Sequence, residues 1–565
     1  VSASSQPRKL AGGAVAPVAV PNVVEAPAEP TAADPAQLVK DYLTAAAGGT
    51  DAAVNQVKLF LTGNGRKNWQ APPKNATGRI LIIQVDDVVA QAQVDNGTPV
   101  DLHYREVGTL DDTDGRITPS INTQEQVQRL QVVRATDQLG QLRIDSGALP
   151  GLVLRDDALN GPFYRPQPIY FWDSSNQVLI PDIRYVPLTV SPDTRAYKIV
   201  GWLFGGPSAL LNDAVNTLPT NTSFTVQPHD STLVIKLSPQ AGGKGPDDAR
   251  RLVYQLQASL LQVTSRDLEV WIGNSPAPPT GPSDFRQFEL SSGLQVPMQK
   301  YDIVDGVVKP TTSDNAGTAP DLQLLAAKEN SAVRYAAISR DDRWGAFVRD
   351  TGAAPSLALI PNSGKAITVR DLPRSEQVSR PAWIPNINGL LIAWNGGLYL
   401  VNLNGQATHV STPGLGVITE VTVSPDGRRV AMVAGGQVTV QVLLASNNQS
   451  APSVHLDGQP QAIVPDPGLT PSAVAWDDEQ QIYIVGTSSK AKAALWRVTT
   501  DGAVATDLSD TLKGVAPDDV VSYPKGAFSL PRDGEAVVLQ RDAAPYRVNS
   551  PQVSYDGTKS PFYVD

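Results

Sequence analysis

Apolar and polar positions alternate with two different periods along this chain, and the change of period divides it. Behind Asp34-Pro35, an N-cap followed by proline at the first helical position, Leu38, Val39, Tyr42 and Leu43 recur at helical spacing. A second helix is predicted from near Thr50, with Val54, Val57, Phe60 and Leu61 on one face. From Arg79 the period falls to two. ILIIQV (80–85), VAQAQV (89–94), VDLHYREV (100–107), QRLQVVRA (128–135) and LRID (142–145) read as strands between Gly, Asp and Asn turns. Helices followed by a meander predict a small α+β domain over 34–160.

A second α+β pattern follows over 161–275. PIYFWD (168–173), VLIPDIRYVPL (178–188), STLVIKLS (231–238) and LEVWIG (268–273) are predicted strands. AYKIVGWLFGGP (196–207) and DDARRLVYQLQASLLQV (247–263) are predicted helices, the first stopped by Gly-Gly-Pro and the second opened by acidic residues. Residues 276–300, rich in Pro, Gly and Ser, read as a linker, and residues 1–33, rich in Ala and Pro without a period, as an extended tether.

The remainder, 301–565, repeats one unit. In EVTVSPDGRRVAMVAGGQVTV (420–440) an alternating run meets a Ser-Pro-Asp-Gly corner, a continuously apolar run and a Gly-Gly turn. Related units carry Ser339, Trp383, Ser424, Trp476 and Ser529 at the same point, with steps of 44, 41, 52 and 53 residues. Those steps are close to the roughly 40 to 45 residues of a four-stranded propeller blade. The last step, from Ser529 to Ser554, is only 25 residues, so the ring is expected to close with strands from both ends of the region. The expected architecture is multidomain: two small α+β domains and then an all-β propeller of about five to seven blades.

The motif Leu-x-Pro-x-x-Arg-x-Val-Pro (Leu179 to Pro187), a helix ending Gly-Gly-Pro and a Val-Ile-Lys-Leu-Ser strand before a long helix resemble the GerMN domain. PAQLVKDYLTAA and FLTGNGRKNWQAP resemble the domain that precedes GerMN in LpqB-type lipoproteins of actinobacteria, and the domain order is similar to that family almost end to end. The resemblance implies an extracytoplasmic protein held to the membrane by a lipid anchor upstream of this chain. It also implies binding to the extracellular domain of the sensor histidine kinase MtrB, with an influence on MtrAB signalling in cell-envelope and division control. The family has no catalytic residues to carry over, and its lipidated cysteine has no counterpart here.

Composition narrows the chemistry. The net charge is -10 and no basic run exceeds two residues, which excludes the basic footprint of a nucleic-acid binder. Without cysteine there is no thiol catalysis, disulfide or Cys-type zinc. The four histidines, at 103, 229, 409 and 455, are scattered, and nucleophile-elbow, zincin and phosphate-loop motifs are absent. No enzyme activity, cofactor or metal is therefore expected. LDDTDGRITPSI (110–121) imitates part of a calcium loop but has Leu110 and Ile121 where ligands belong, so it reads as a turn between strands. The pairs Asp86-Asp87, Asp156-Asp157 and Asp341-Asp342 likewise read as turns or caps. Candidate partner contacts are Arg184 of the Pro-rich strand motif and Trp202 and Phe204 of GWLFGG; the two aromatics fit a docking anchor or a helix–sheet core. A glycan or peptidoglycan-fragment binder is the alternative function, because propellers and α+β domains both offer concave sites.

Overall fold

The computed structural model describes residues 29–278, 300–310, 322–512, 519–540 and 559–563, apart from short interruptions within these ranges. Most of the tether and linker expected from the sequence lies outside the described residues.

In the N-terminal domain the side chain of Asp34 accepts from the Gln37 amide and starts α1 (Pro35–Tyr42). Helices α2 (Thr50–Leu59) and α3 (Gly63–Asn68) follow. The strands are β1 (Arg79–Ala90), β2 (Thr98–Asp111), β3 (Arg116–Pro119), β4 (Gln126–Arg134), β5 (Leu142–Ser146) and β6 (Leu152–Arg155). They form one sheet in the order β5-β4-β2-β1-β6, with β3 on the far stretch of β2. Leu38, Val39 and Tyr42 meet Ile80, Ile82 and Val100 between helix and sheet, as the helical period requires. One expectation is corrected. Asp86-Asp87 is not a turn separating two strands but a bulge inside β1, where Asp86 pairs with Arg105 across the ladder.

The second domain opens with a hairpin, β7 (Tyr164–Trp172) and β8 (Leu179–Pro187). It continues through α4 (Pro192–Gly205), β9 (Phe224–His229), β10 (Thr232–Leu237), α5 (Pro246–Leu260), β11 (Asp267–Ile272) and β12 (Ser275–Pro276). The sheet order is β12-β11-β10-β9, and the parallel pair β10–β11 is joined through α5. Every residue of β8 is buried, Asp182 and Arg184 included, because that strand lies where all three domains meet.

Beyond residue 300 the described residues form six sheets arranged in a ring. Their inner strands are Lys559–Tyr563, Val333–Ile338, Ala382–Trp383, Ile418–Val423, Thr470–Trp476 and Val521–Ser522, each lying against the next. The ring closes with strands from both ends: Lys559–Tyr563 pairs with Lys300–Val304, which pairs with Val307–Pro310. Phe562 is buried and stacks on Tyr301 with centroids 5.6 Å apart, so the closure is packed as well as hydrogen-bonded. The repeated corner has a fixed chemistry. Ser424 accepts from the Arg429 amide and donates to Asp426, while Gly427 takes the positive φ of 70° that closes the turn. Ser339, Asp341 and Trp344 repeat this arrangement in another blade. At the equivalent position Trp476 is buried and its indole donates to the carbonyl of Thr422 in the neighbouring sheet, so it ties blades together.

Candidate functional site

Two concave places stand out. The first is the channel of the propeller, bounded by all six inner strands and crossed by an ion pair between Arg380 and Asp519. Burial, and then Asp519 beside it, push the Glu420 carboxyl well above its ordinary range, against the pull of Arg380. The channel cavity is only ≈ 90 Å³, far below the roughly 300 Å³ of a small-ligand site.

The second is a cleft at the junction of the three domains, made of two adjoining cavities of ≈ 350 and ≈ 410 Å³ that share Pro119, Gln461 and Asp501. One wall is the N-terminal sheet, with Asp111, Asp114 and Arg116 at the β2–β3 turn and Arg105 and Glu106 along β2. Asp182 on β8 contributes from the second domain. Arg429, Gln437, Gln461 and Asp501 contribute from the propeller, and Asp156 stands at the N-terminal domain's edge.

Charge in this cleft is unbalanced. Its lining has six carboxylates, Glu106, Asp111, Asp114, Asp156, Asp182 and Asp501, against three guanidinia, Arg105, Arg116 and Arg429. The arginines are already engaged: Arg116 with Asp114, Arg105 with Asp86, and Arg429 with Asp426 at 3.7 Å and the Pro181 carbonyl at 3.2 Å. Four of the acids accept from neutral donors: Asp111 from Thr113, Glu106 from Ser120 and Gln126, Asp156 from the Asp157 amide, and Asp501 from Tyr185, Thr499 and Ala503. Burial raises Asp501, with those hydrogen bonds opposing it. Burial and then Asp157 raise Asp156 to about 7.

The same junction accounts for the residues singled out in the sequence. Trp202 is 3% exposed, and its indole donates at 2.9 Å to the Thr113 carbonyl in the β2–β3 turn. Gly115 of that turn has φ of 70° and faces the ring, where an added Cβ would stand 2.8 Å from it. Trp202 therefore fills the seam between the first two domains, and the reading of it as a free docking anchor is corrected on that ground. Arg184 is fully buried as well. Its Nη2 donates to the Gly206 carbonyl and pairs with Asp182 at 3.0 Å, tying β8 to the end of α4. Phe204 does lie near the surface. It is half-buried and stacked on Phe224, which also touches Tyr197, 51% exposed. The calcium-like loop is this same β2–β3 turn, with Asp112 beside Lys198 and Asp114 on Arg116.

Of the cleft's lining, the sequence draws attention to the 110–121 stretch, Asp156-Asp157 and the Leu179–Pro187 motif separately, and not to their meeting with Asp501. Asp501-Gly502 and Asp156-Asp157 look like ordinary turns, and their convergence depends on how the domains dock.

Comparison with known proteins agrees with this domain order. Residues 29–160 match the family model described as "Lipoprotein LpqB, N-terminal domain", and residues 307–558 match "Lipoprotein LpqB beta-propeller domain". Between them, residues 168–277 match the Germane model, "Sporulation and spore germination". The chain belongs to the LpqB lipoprotein family. It is 24% identical over 563 residues to "Lipoprotein LpqB" of Corynebacterium jeikeium (strain K411), covering 90% of this chain and 87% of that protein. It is 23% identical over 540 residues to that of Rhodococcus opacus (strain B4), covering 86% and 85%. Among solved structures, TolB from Acinetobacter baumannii is 12% identical with a TM-score of 0.30, covering 87% of this chain and 84% of that one. The Pseudomonas aeruginosa periplasmic gluconolactonase PpgL is 14% identical with a TM-score of 0.31, covering 41% and 73%. Likenesses this low carry no argument about function.

In this LpqB-family chain the domains are held together by polar contacts at defined points. Tyr185 donates to Asp501 at 2.8 Å, Arg428 pairs with Asp173 at 3.2 Å, and Arg116 donates to the Pro207 carbonyl at 2.9 Å. Apolar packing crosses the same boundaries, with Ala503 joining the N-terminal core and Val442 that of the second domain.

Proposed function

We propose that this chain is a non-enzymatic extracytoplasmic lipoprotein that binds the extracellular domain of the sensor kinase MtrB and so modulates MtrAB signalling in cell-envelope and division control. The observation that carries the reading is the match, in order and over most of the chain, to LpqB domains. The relatives are named lipoproteins, which supports an anchored protein outside the cytoplasm. The absence of nucleophile, zincin and phosphate-loop motifs from the sequence supports a binding role. The contacts that join the three domains favour a rigid body over independently moving modules. The aromatic surface of Tyr197, Phe204 and Phe224 on the second domain supports a docking role for that face.

The test is direct binding of the purified chain to the purified kinase ectodomain, followed by calorimetry. A saturable one-to-one complex is expected. Absence of binding at high micromolar concentrations of both proteins refutes the reading. Full affinity in the isolated 301–565 region would remove the α+β domains from the interface.

A further inference from the structure

We infer that the exposed edge of β9, together with the aromatic stripe of α4 beside it, receives an extended apolar strand from a partner protein. The proposal rests on the kinase reading only for which protein supplies the strand. Two observations carry it independently. The first is a row of backbone groups. β9 ends the sheet order β12-β11-β10-β9, and among the described residues no strand lies on its other side. The Ser238 amide donates to the Ser223 carbonyl, which sets the alternation of the antiparallel ladder between β9 and β10. Thr225, Gln227 and His229 therefore exchange bonds with β10, whereas Phe224, Val226 and Pro228 turn their backbone groups outward. Pro228 agrees with this, because proline is tolerated in a strand where its missing N–H would face away from the ladder. The outward row offers the amides of Phe224 and Val226 and the carbonyls of Phe224, Val226 and Pro228. An added strand matches that alternation of donors and acceptors.

The second observation is the apolar stripe over this edge. Tyr197, Gly201 and Phe204 fall at i, i+4 and i+7 of α4, on one face of the helix. The rings of Tyr197 and Phe204 lie 5.2 and 5.8 Å from that of Phe224. Gly201 allows the close approach, since an added Cβ would stand 3.3 Å from the Phe224 ring. Tyr197 is 51% exposed and Phe204 half-buried, so apolar surface remains uncovered beside the free edge. In an added antiparallel strand, the residues paired with Phe224 and Val226 would point to the same face as those side chains, toward the stripe. The guest therefore carries uncharged apolar residues at every second position. Two other occupants fit less well. A lipid surface would cover the rings but leave the backbone groups without partners. A second copy, paired about Val226, would set Pro228 opposite Phe224, leaving the Phe224 carbonyl without a donor, and would bring a second net charge of -10.

The experiment follows the fluorescence anisotropy of a labelled, capped Ser-Val-Thr-Val-Thr-Val-Ser peptide titrated with the whole chain. Saturable binding is expected, and methylating the valine amides should abolish it, because those N–H groups would face β9. Val226→Pro removes an outward donor without breaking a bond to β10 and should weaken binding about tenfold. Tyr197→Ser, at an exposed ring, leaves the core intact and should weaken it severalfold. Val127→Ser, exposed in the N-terminal domain, should change nothing. Undetectable peptide binding, equal binding of the methylated peptide, or equal weakening by Val127→Ser overturns the proposal. A dimer in sedimentation that Val226→Pro dissociates would give the edge to a second copy, and binding to phosphatidylglycerol vesicles lost in Tyr197→Ser would give the rings to lipid; either result overturns the partner strand. The kinase reading fails separately: peptide bound at β9 with no ectodomain complex leaves this inference standing and removes that partner.

Discussion

Trp202 separates a residue that holds the domains together from one that meets a partner. In the structure its ring is 3% exposed, packed on Gly115 and hydrogen-bonded to Thr113, so Trp202→Ala empties a buried volume and orphans a carbonyl. Large-to-small changes of this kind cost about 3–5 kcal/mol. For a unit of this size that corresponds to a fall in Tm of roughly 6–20 °C. Trp202→Phe keeps most of the ring and loses the indole hydrogen bond, about 0.5–1.5 kcal/mol of net stability. Because the contact crosses from the second domain to the first, Trp202→Ala should also separate their unfolding into two calorimetric transitions. Limited proteolysis should then cut first near the 111–116 turn. The reasoning fails if Trp202→Ala melts within about 1 °C of the parent. If such a variant nonetheless loses ectodomain binding, the indole belongs to the binding surface after all.

Other changes test the remaining contacts. Removing the Lys559–Tyr563 strand should destabilise the propeller as one cooperative unit, and Phe562→Ala alone should cost about 3–5 kcal/mol by urea unfolding, since that ring is buried against Tyr301; an unchanged transition would show the ring does not depend on its closing strand. Tyr185→Phe removes the donor to Asp501 and should cost about 1–3 kcal/mol, with faster amide exchange at residues 499–503 and no change in the far blades. Asp156 has a folded pKa near 7, above its unfolded value, so the folded state holds the extra proton and this residue's contribution to stability is lost as pH rises from about 4 to 7. Asp156→Asn should abolish that part of the pH dependence and stabilise the protein at pH 7 by on the order of 1–3 kcal/mol, read from urea unfolding at pH 5 and 7; identical pH profiles would refute the shift.

Local patterns in the sequence determined the elements. Asp34-Pro35 starts its helix whatever surrounds it, because the cap is made within four residues. Ser424, Asp426 and Gly427 close their corner by hydrogen bonds inside the turn, so the propeller repeat was legible wherever that corner recurs. The short final step also predicted closure by strands from both ends, and Lys559–Tyr563 pairs with Lys300–Val304 as expected. Only the tertiary structure decided which apolar and charged side chains face another domain. Trp202 has the same spacing in a core as at a surface, and only the β2–β3 turn packed over it distinguishes the two. By local pattern Asp86-Asp87 fits a turn or cap, because adjacent strand residues point to opposite faces, but a bulge and Arg105 hold the pair inside β1. The acidic cleft was invisible for the same reason. Asp111, Asp182 and Asp501 lie far apart in sequence, and their shared surroundings arise only where the three domains meet.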